Sequence, residues 1–321
     1  MTTTGTTTGT TRTPTDADRR VPSLVCVDCG STDQDLSGRC AACAGMVDAT
    51  YPPSQAALQP GDTDALETYW DLLPIPNRAT CRIAIEPTPT ILLTELDGVP
   101  IWAKVEGVLP TGSTKDRLIA VSLPLMLERG VERFVFSSTG NTAAAYAWGL
   151  QRYPELSARV YVSEDVPDAQ LGPATPQMEI VRVKGDYVEA GSRSRADSRP
   201  GEVGEGGFFN LGRREGAKLA YLEAFDDVAR AGGRIDTVVQ AVASGLGIVA
   251  ADRAVDQSVV ARGRGRRPRL FCAQQTRCAP MVKAWRAVLN GTNERATVEM
   301  PTGIAEAILL GDPFSSFDYV A

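Results

Sequence analysis

A lysine placed behind small hydroxylated residues is the group in this sequence best suited to covalent chemistry. In Leu109-Pro110-Thr111-Gly112-Ser113-Thr114-Lys115-Asp116-Arg117 it follows a strand-like stretch and opens a helix. The positive end of a helix disfavours a protonated amine, and a neutral lysine forms an imine with an aldehyde. The same residues also suit a phosphate contact, a surface charge, or, for PTGS, a turn with an N-cap. A second constellation, Ser137-Ser138-Thr139-Gly140-Asn141-Thr142, lies between a buried strand and a helix. It fits either a site for anionic oxygens or an ordinary capped helix start. A third, Ala243-Ser244-Gly245-Leu246-Gly247, again joins strand to helix, where successive N–H groups can wrap a phosphate. It lacks the GK[ST] of a Walker loop and the third glycine of a dinucleotide fingerprint. Cys26 and Cys29 in CVDCG and Cys40 and Cys43 in CAACAG form two CxxC pairs ten residues apart. That spacing points to a four-thiolate structural zinc site, with Gly30 and Gly45 giving the turns their backbone freedom.

The rest of the composition limits what these groups can be part of. The 321 residues contain no histidine, which excludes histidine triads, HExxH zinc sites and any histidine base. Hydrophobic residues make up 43% and charged residues 22%, an ordinary balance for a folded chain of roughly two domains. A net charge of −6 argues against nucleic acid as the main partner. No apolar run approaches the roughly 18 residues of a membrane span, and the N-terminus lacks a secretory h-region, so a cytoplasmic location is expected.

The elements expected to carry the site alternate between strand and helix. ILLTEL and VPIWAKVEG form a hairpin around Asp97-Gly98, and KDRLIAVSLPLMLERG is a helix that Pro124 should kink. RFVFSS, ARVYVSED and MEIVRVKG are strands, and TAAAYAWGLQ is a helix. After a polar, glycine-rich stretch (about 191–207), EGAKLAYLEAFDDVARAGG is an amphipathic helix. TVVQAVASGLGIVAADRAV is strand, loop and helix, and PRLFCAQQ is a further strand. The pattern predicts an α/β fold of mostly parallel sheets with helices on both faces, behind a small zinc ribbon. The basic run at 262–269 is expected to be a solvated loop rather than a docking patch. Cys81, Cys272 and Cys278 are expected to be small buried hydrophobes.

PTGSTKDR, SSTGNT and AVASGLG, in this order, together with Lys104 and Glu106 as a KxE pair, resemble the threonine synthase family. These are pyridoxal-phosphate enzymes with the tryptophan-synthase-β type of fold, often behind an N-terminal zinc ribbon. PRLFCAQQTRCAPMVKAW and PTGIAEAILLGDPFS resemble the family's later segments, so the likeness covers about residues 24 to 321. It implies two open, mostly parallel sheets (pyridoxal-phosphate fold type II). The expected division is a disordered arm over 1–20, a zinc ribbon over 21–51, a large cofactor-binding unit over 52–118 and 206–321, and a small unit over 119–205. It implies that Lys115 is the catalytic residue and holds pyridoxal 5'-phosphate as an imine. Asn141 would bond the ring hydroxyl, and Ala243, Ser244, Gly245, Leu246 and Gly247 would cradle the phosphate. Ser138, Thr139 and Thr142 would receive the substrate carboxylate, with Lys104, Ser113 and Thr114 near the substrate phosphate. Cys26, Cys29, Cys40 and Cys43 would hold structural Zn2+. Dimers are common in the family.

Two features depart from that pattern. Glu86-Pro87-Thr88-Pro89 stands where the family has Glu-Gly-x-Thr-Pro, and the chain ends soon after GDPFS. The segment expected beyond it would carry the Ser or Thr facing the pyridine nitrogen, a part that Ser315 and Ser316 do not replace. A fragment, a chain completed by another, and an inactive relative all fit. The expected activity is a carbon–oxygen lyase converting O-phosphohomoserine and water to threonine and phosphate. The alternatives are β-replacement on O-phosphoserine, as in cysteate or cysteine synthase relatives, and a catalytically silent scaffold.

Overall fold

The computed structural model describes residues 22–197, 199–312 and 315–321. The expected arm over 1–20 lies outside them.

The ribbon pairs β1 (Ser23–Cys26) antiparallel with β2 (Val47–Thr50). Each CxxC closes a tight turn, Gly30 N–H donating to Cys26 O and Ala44 N–H to Cys40 O, both at 2.9 Å. The left-handed residues are Gly30 (φ 72°) and Ala44 (φ 62°), not Gly45. Gly45 instead leaves room for Asp28: a Cβ there would lie 1.9 Å from Asp28 Oδ2, so that side chain would have to move.

After the short helix α1 (Ala65–Thr68), β3 (Thr90–Leu96) and β4 (Val99–Lys104) form the expected hairpin. Asp97 (φ 50°) and Gly98 (φ 77°) give it a left-handed two-residue turn. Helix α2 (Lys115–Glu128) runs on through Pro124, where sequence predicts a kink. There follow β5 (Arg133–Ser138), α3 (Asn141–Leu150), β6 (Ser157–Ser163), β7 (Met178–Val183), α4 (Tyr187–Ala196) and β8 (Glu202–Gly204). The four strands make a parallel sheet in the order β7-β6-β5-β8. Helix α4 occupies the front of the stretch expected to be irregular. Its residues are mostly polar with a central Gly191, but Asp186 caps it by accepting from Val188 and Glu189 N–H at 2.9 and 3.1 Å.

Helix α5 (Leu211–Arg230) begins at an Asn210 cap, ahead of the expected start. It is followed by β9 (Thr237–Ala241), α6 (Leu246–Ala254), β10 (Arg269–Ala273) and α7 (Pro280–Leu289). β9 and β10 pair in parallel. The core is continuous from Met46 of the ribbon through α2, α3 and α5 to Val259. α2 and α5 cross at backbone contact: a Cβ on Gly216 would lie 2.3 Å from Arg117 O, and one on Gly212 2.6 Å from Ser122 Cα.

The basic run is not a freely solvated loop. Arg262 and Arg264 both reach the buried Asp226, and Arg267 pairs with Asp252 and Asp256. Cys278 is buried as expected, Cys81 is half-buried, and Cys272 on β10 is exposed, because β10 pairs only with β9 among the described strands. No helix among the described residues is long and apolar enough to cross a membrane.

Candidate active site

Three strand-to-helix or loop-to-helix junctions converge on one cavity of about 510 Å³. Lys115 opens α2, Asn141 opens α3 and Gly245 precedes α6, so three helix N-termini face the same space. Every candidate residue of the three loops lines it: Ser113, Thr114, Lys115, Ser138, Thr139, Asn141, Thr142 and Ala243 through Gly247, with Lys104 beside them. The size suits a ligand of a few hundred cubic ångströms.

Lys115 is enclosed except toward the cavity. Burial, and then the positive charge of Arg213, bring its amine down to about 8. Removal from water is therefore the main cause, ahead of the helix end that sequence suggests. Asp116, next to it, is fixed by Thr111, whose N–H donates to Oδ2 at 2.7 Å.

Ser138 Oγ accepts from the N–H groups of Gly140 and Ala143 at 3.0 and 3.1 Å, so its side chain caps α3 while the loop lines the cavity. Thr139 Oγ1 donates to Ala307 O at 3.2 Å and ties the loop to the 307–310 wall. In the third loop Gly245 is left-handed (φ 84°), and a Cβ there would meet Val320 Cγ2 at 2.4 Å. Ile248 N–H donates to Gly245 O at 3.2 Å, and the N–H groups ahead of it, at the very start of α6, are placed to receive an anion.

Lys104 lies at the rim with its charge already paired: Nζ is 2.7 Å from Glu223 and donates to Thr88 O. Beneath it Arg117 is buried between Glu106 (2.8 Å) and Glu223. Burial alone would raise Glu106, but Arg117, Thr88 and Thr114 hold it below the usual carboxylate range. Sequence reasoning passed over Arg213, Tyr187, Tyr221 and Gln240, all of which line the cavity. Arg213 leaves its Nε unpaired while NH1 reaches Glu205 at 3.1 Å.

The chain matches the family of pyridoxal-phosphate dependent enzymes over residues 82–319. It belongs to that family. The cysteate synthase of Methanothrix thermoacetophila is 28% identical over 304 residues, 89% of this chain and 71% of that protein. The threonine synthase of Methanosarcina acetivorans is 26% identical over 312 residues, 91% of this chain and 74% of that one. Against four further cysteate synthases the matched stretch spans 42% to 45% of their length, less than two thirds. Among solved structures, threonine synthase from Escherichia coli superposes with a TM-score of 0.64 at 12% identity, covering 92% of this chain and 73% of that one. The shared fold is the type II pyridoxal-phosphate architecture, open parallel sheets with helices, here carrying a cysteine-rich N-terminal ribbon.

The residues present fit that cofactor. A lysine amine whose pKa is lowered to about 8, a glycine turn that tolerates no Cβ, and an asparagine at a helix start share one cavity. The ribbon fits a metal equally well. The four sulfurs lie within 4.8 Å of one another, with Cys26–Cys43 at 3.5 Å and Cys29–Cys40 at 3.7 Å. Tetrahedral thiolates about 2.3 Å from zinc would be spaced about 3.8 Å apart. Although burial raises the Cys40 thiol, the N–H groups of Cys43 and Ala42 and the Gln34 amide outweigh it and bring it to about 6.

Proposed function

We propose that the chain is a pyridoxal-phosphate dependent carbon–oxygen lyase that releases phosphate from an O-phosphorylated amino acid. The observation that carries this is the sharing of one cavity by Lys115 and the Arg213 guanidinium between two anion-binding loops. When bound, the cofactor supplies an electron sink for charge left at the substrate Cα. The residues supply the rest. Lys115 has an amine basic enough to take the Cα proton and acidic enough to return it near neutral pH. The loop 243–247 anchors the cofactor phosphate, Asn141 its ring hydroxyl, and Thr139 and Thr142 at the start of α3 the substrate carboxylate. Ser138 shapes that loop from beneath. Because Lys104 is already neutralised by Glu223, the substrate phosphate is assigned to Arg213 with Ser113 and Thr114, and Lys104 holds the rim. The same reading places the cofactor between a large unit (52–118 and 206–321) and a small one (119–205). It gives the four cysteines a structural zinc ion.

Of the substrates, the relatives favour O-phosphoserine, since five cysteate synthases stand among those most similar to the chain. Loss of the Cα proton and of phosphate from Cβ is then followed by addition of sulfite at Cβ and return of a proton to Cα. In the threonine-synthase-like reaction, phosphate leaves Cγ of O-phosphohomoserine and water adds at Cβ. Phosphate release from each phospho amino acid, with and without sulfite, separates the two. Sulfite-dependent release from O-phosphoserine is expected. Release from O-phosphohomoserine alone would restore the threonine reaction, and release from neither would remove both.

A further inference from the structure

Two polar side chains of the cavity, Tyr221 and Gln240, are among those that the assignments above leave without a role. Tyr221 of α5 and Gln240 of β9 both line it, beside Ala217, Ala220 and Ala224, whose methyl side chains leave room over the α5 face. The Tyr221 hydroxyl donates to Gln240 Oε1, and Gln240 Nε2 donates to Ala241 O at 2.8 Å. The pair is packed under the last glycine of the third loop. A Cβ on Gly247 would lie 3.2 Å from Gln240 Cδ and 3.3 Å from the Tyr221 hydroxyl. Its surroundings are not those of Lys115. The charge acting on Lys115 is Arg213, whereas Tyr221 is surrounded by Glu106 and Cys272. Burial, followed by the Glu106 charge, pushes the phenol above its ordinary range, so it stays neutral. Glu106 itself is occupied by Arg117 at 2.8 Å and Thr88 at 2.7 Å.

In pyridoxal phosphate the ring nitrogen is para to the aldehyde carbon and close to the carbon that bears the phosphate arm. With the aldehyde at Lys115 and the arm in the loop that ends at Gly247, the nitrogen belongs to the corner shared by Gly247, Tyr221 and Gln240. We propose that Tyr221, positioned by Gln240, is the hydrogen-bond partner of the cofactor's ring nitrogen. This rests on the cofactor assignment above. A hydroxyl can turn its O–H from Gln240 to the nitrogen. As a neutral donor it supports an unprotonated ring, unlike a carboxylate, which would hold a pyridinium.

The test compares pyridoxal phosphate with its 1-deaza analogue, in which the ring nitrogen is a C–H. Dissociation constants are measured by absorbance titration of the full chain and of its Tyr221→Phe and Gln240→Leu variants. The unaltered chain should prefer the natural cofactor by about fivefold, the range of one net hydrogen bond. Tyr221→Phe, which keeps the ring packing, should bind both alike, and Gln240→Leu should show a reduced preference. Equal binding of both compounds by the unaltered chain, or an undiminished preference in Tyr221→Phe, would overturn the inference. Failure of the unaltered chain to bind either compound would instead overturn the cofactor assignment.

Discussion

At the scale of single residues, the site turns on how an amine is kept from its proton. Lys115 is enclosed near Arg213, and its pKa falls from 10.5 to about 8. In the unfolded chain the ordinary value returns, so between about pH 8 and 10.5 the unfolded state binds the extra proton. Without cofactor, stability contributed by this residue should therefore rise with pH across that window, by roughly 2 kcal/mol once water in the cavity is allowed for. Below pH 8 both states are protonated and the burial cost is paid in full. Denaturant melts of the cofactor-free chain at pH 7.5 and 10, set against Lys115→Met, check this; a slope that survives in the variant would assign it elsewhere. Lys115→Ala should also abolish the long-wavelength absorbance that appears on adding pyridoxal phosphate, and retained absorbance would remove the lysine from its role. The three loops were legible because each is local: hydroxyls, a glycine and a helix start lie within a few residues. Arg213 and Tyr221 were not, since only the packing of α5 against α2 and α6 brings them to the cavity.

At the scale of elements, the crossing of α2 and α5 sets where Lys115 and Arg213 stand relative to one another. Gly216 is in ordinary helical conformation, so its requirement comes from contact and not from φ. A methyl group there meets Arg117 O at 2.3 Å and Leu118 Cα at 2.8 Å, both backbone atoms that cannot swing aside. Helix propensity alone favours Gly216→Ala by up to about 1 kcal/mol. Overpacking should outweigh it, with a net loss of about 2 kcal/mol and weaker cofactor binding as the helices part. A variant as stable as the parent would show that the helices can separate freely. Sequence gave the order of strands and helices because their periodicities differ. It missed α4, whose polar residues and central Gly191 hide a helix fixed mainly by the Asp186 cap. The hairpin of β3 and β4 was legible from its Asp97-Gly98 turn, and its exposure was not. Ile91, Leu92, Leu93, Leu96 and Val99 are exposed, because that hairpin pairs with no other described strand.

At the scale of the whole molecule, the ribbon is joined to the site by specific contacts, so a metal held by its four cysteines would bear on more than local order. Asp48 of β2 pairs with Arg253 of α6, the helix that starts at the loop 243–247, and Arg214 of α5 donates to Val47 O. From the other side Tyr319 donates to Asp28 Oδ2 at 2.5 Å and accepts from Met46 N–H at 3.3 Å, while Val320 rests against Gly245. Four thiolates held this closely repel one another unless a cation sits among them, so with zinc as proposed the turns that present Asp28 and Met46 would depend on the ion. Removing it should loosen both ties at once. Elemental analysis should find one zinc per chain, and dialysis against a chelator should lower the melting temperature by about 3 °C, the equivalent of roughly 2 kcal/mol in a chain of this size. Cofactor affinity should fall with it, because the loop at Gly245 loses the packing of Val320. Cys40→Ser should reproduce both losses without a chelator. A chain that carries no zinc as purified, or that melts and binds cofactor identically after chelation, would reduce the ribbon to an appendage.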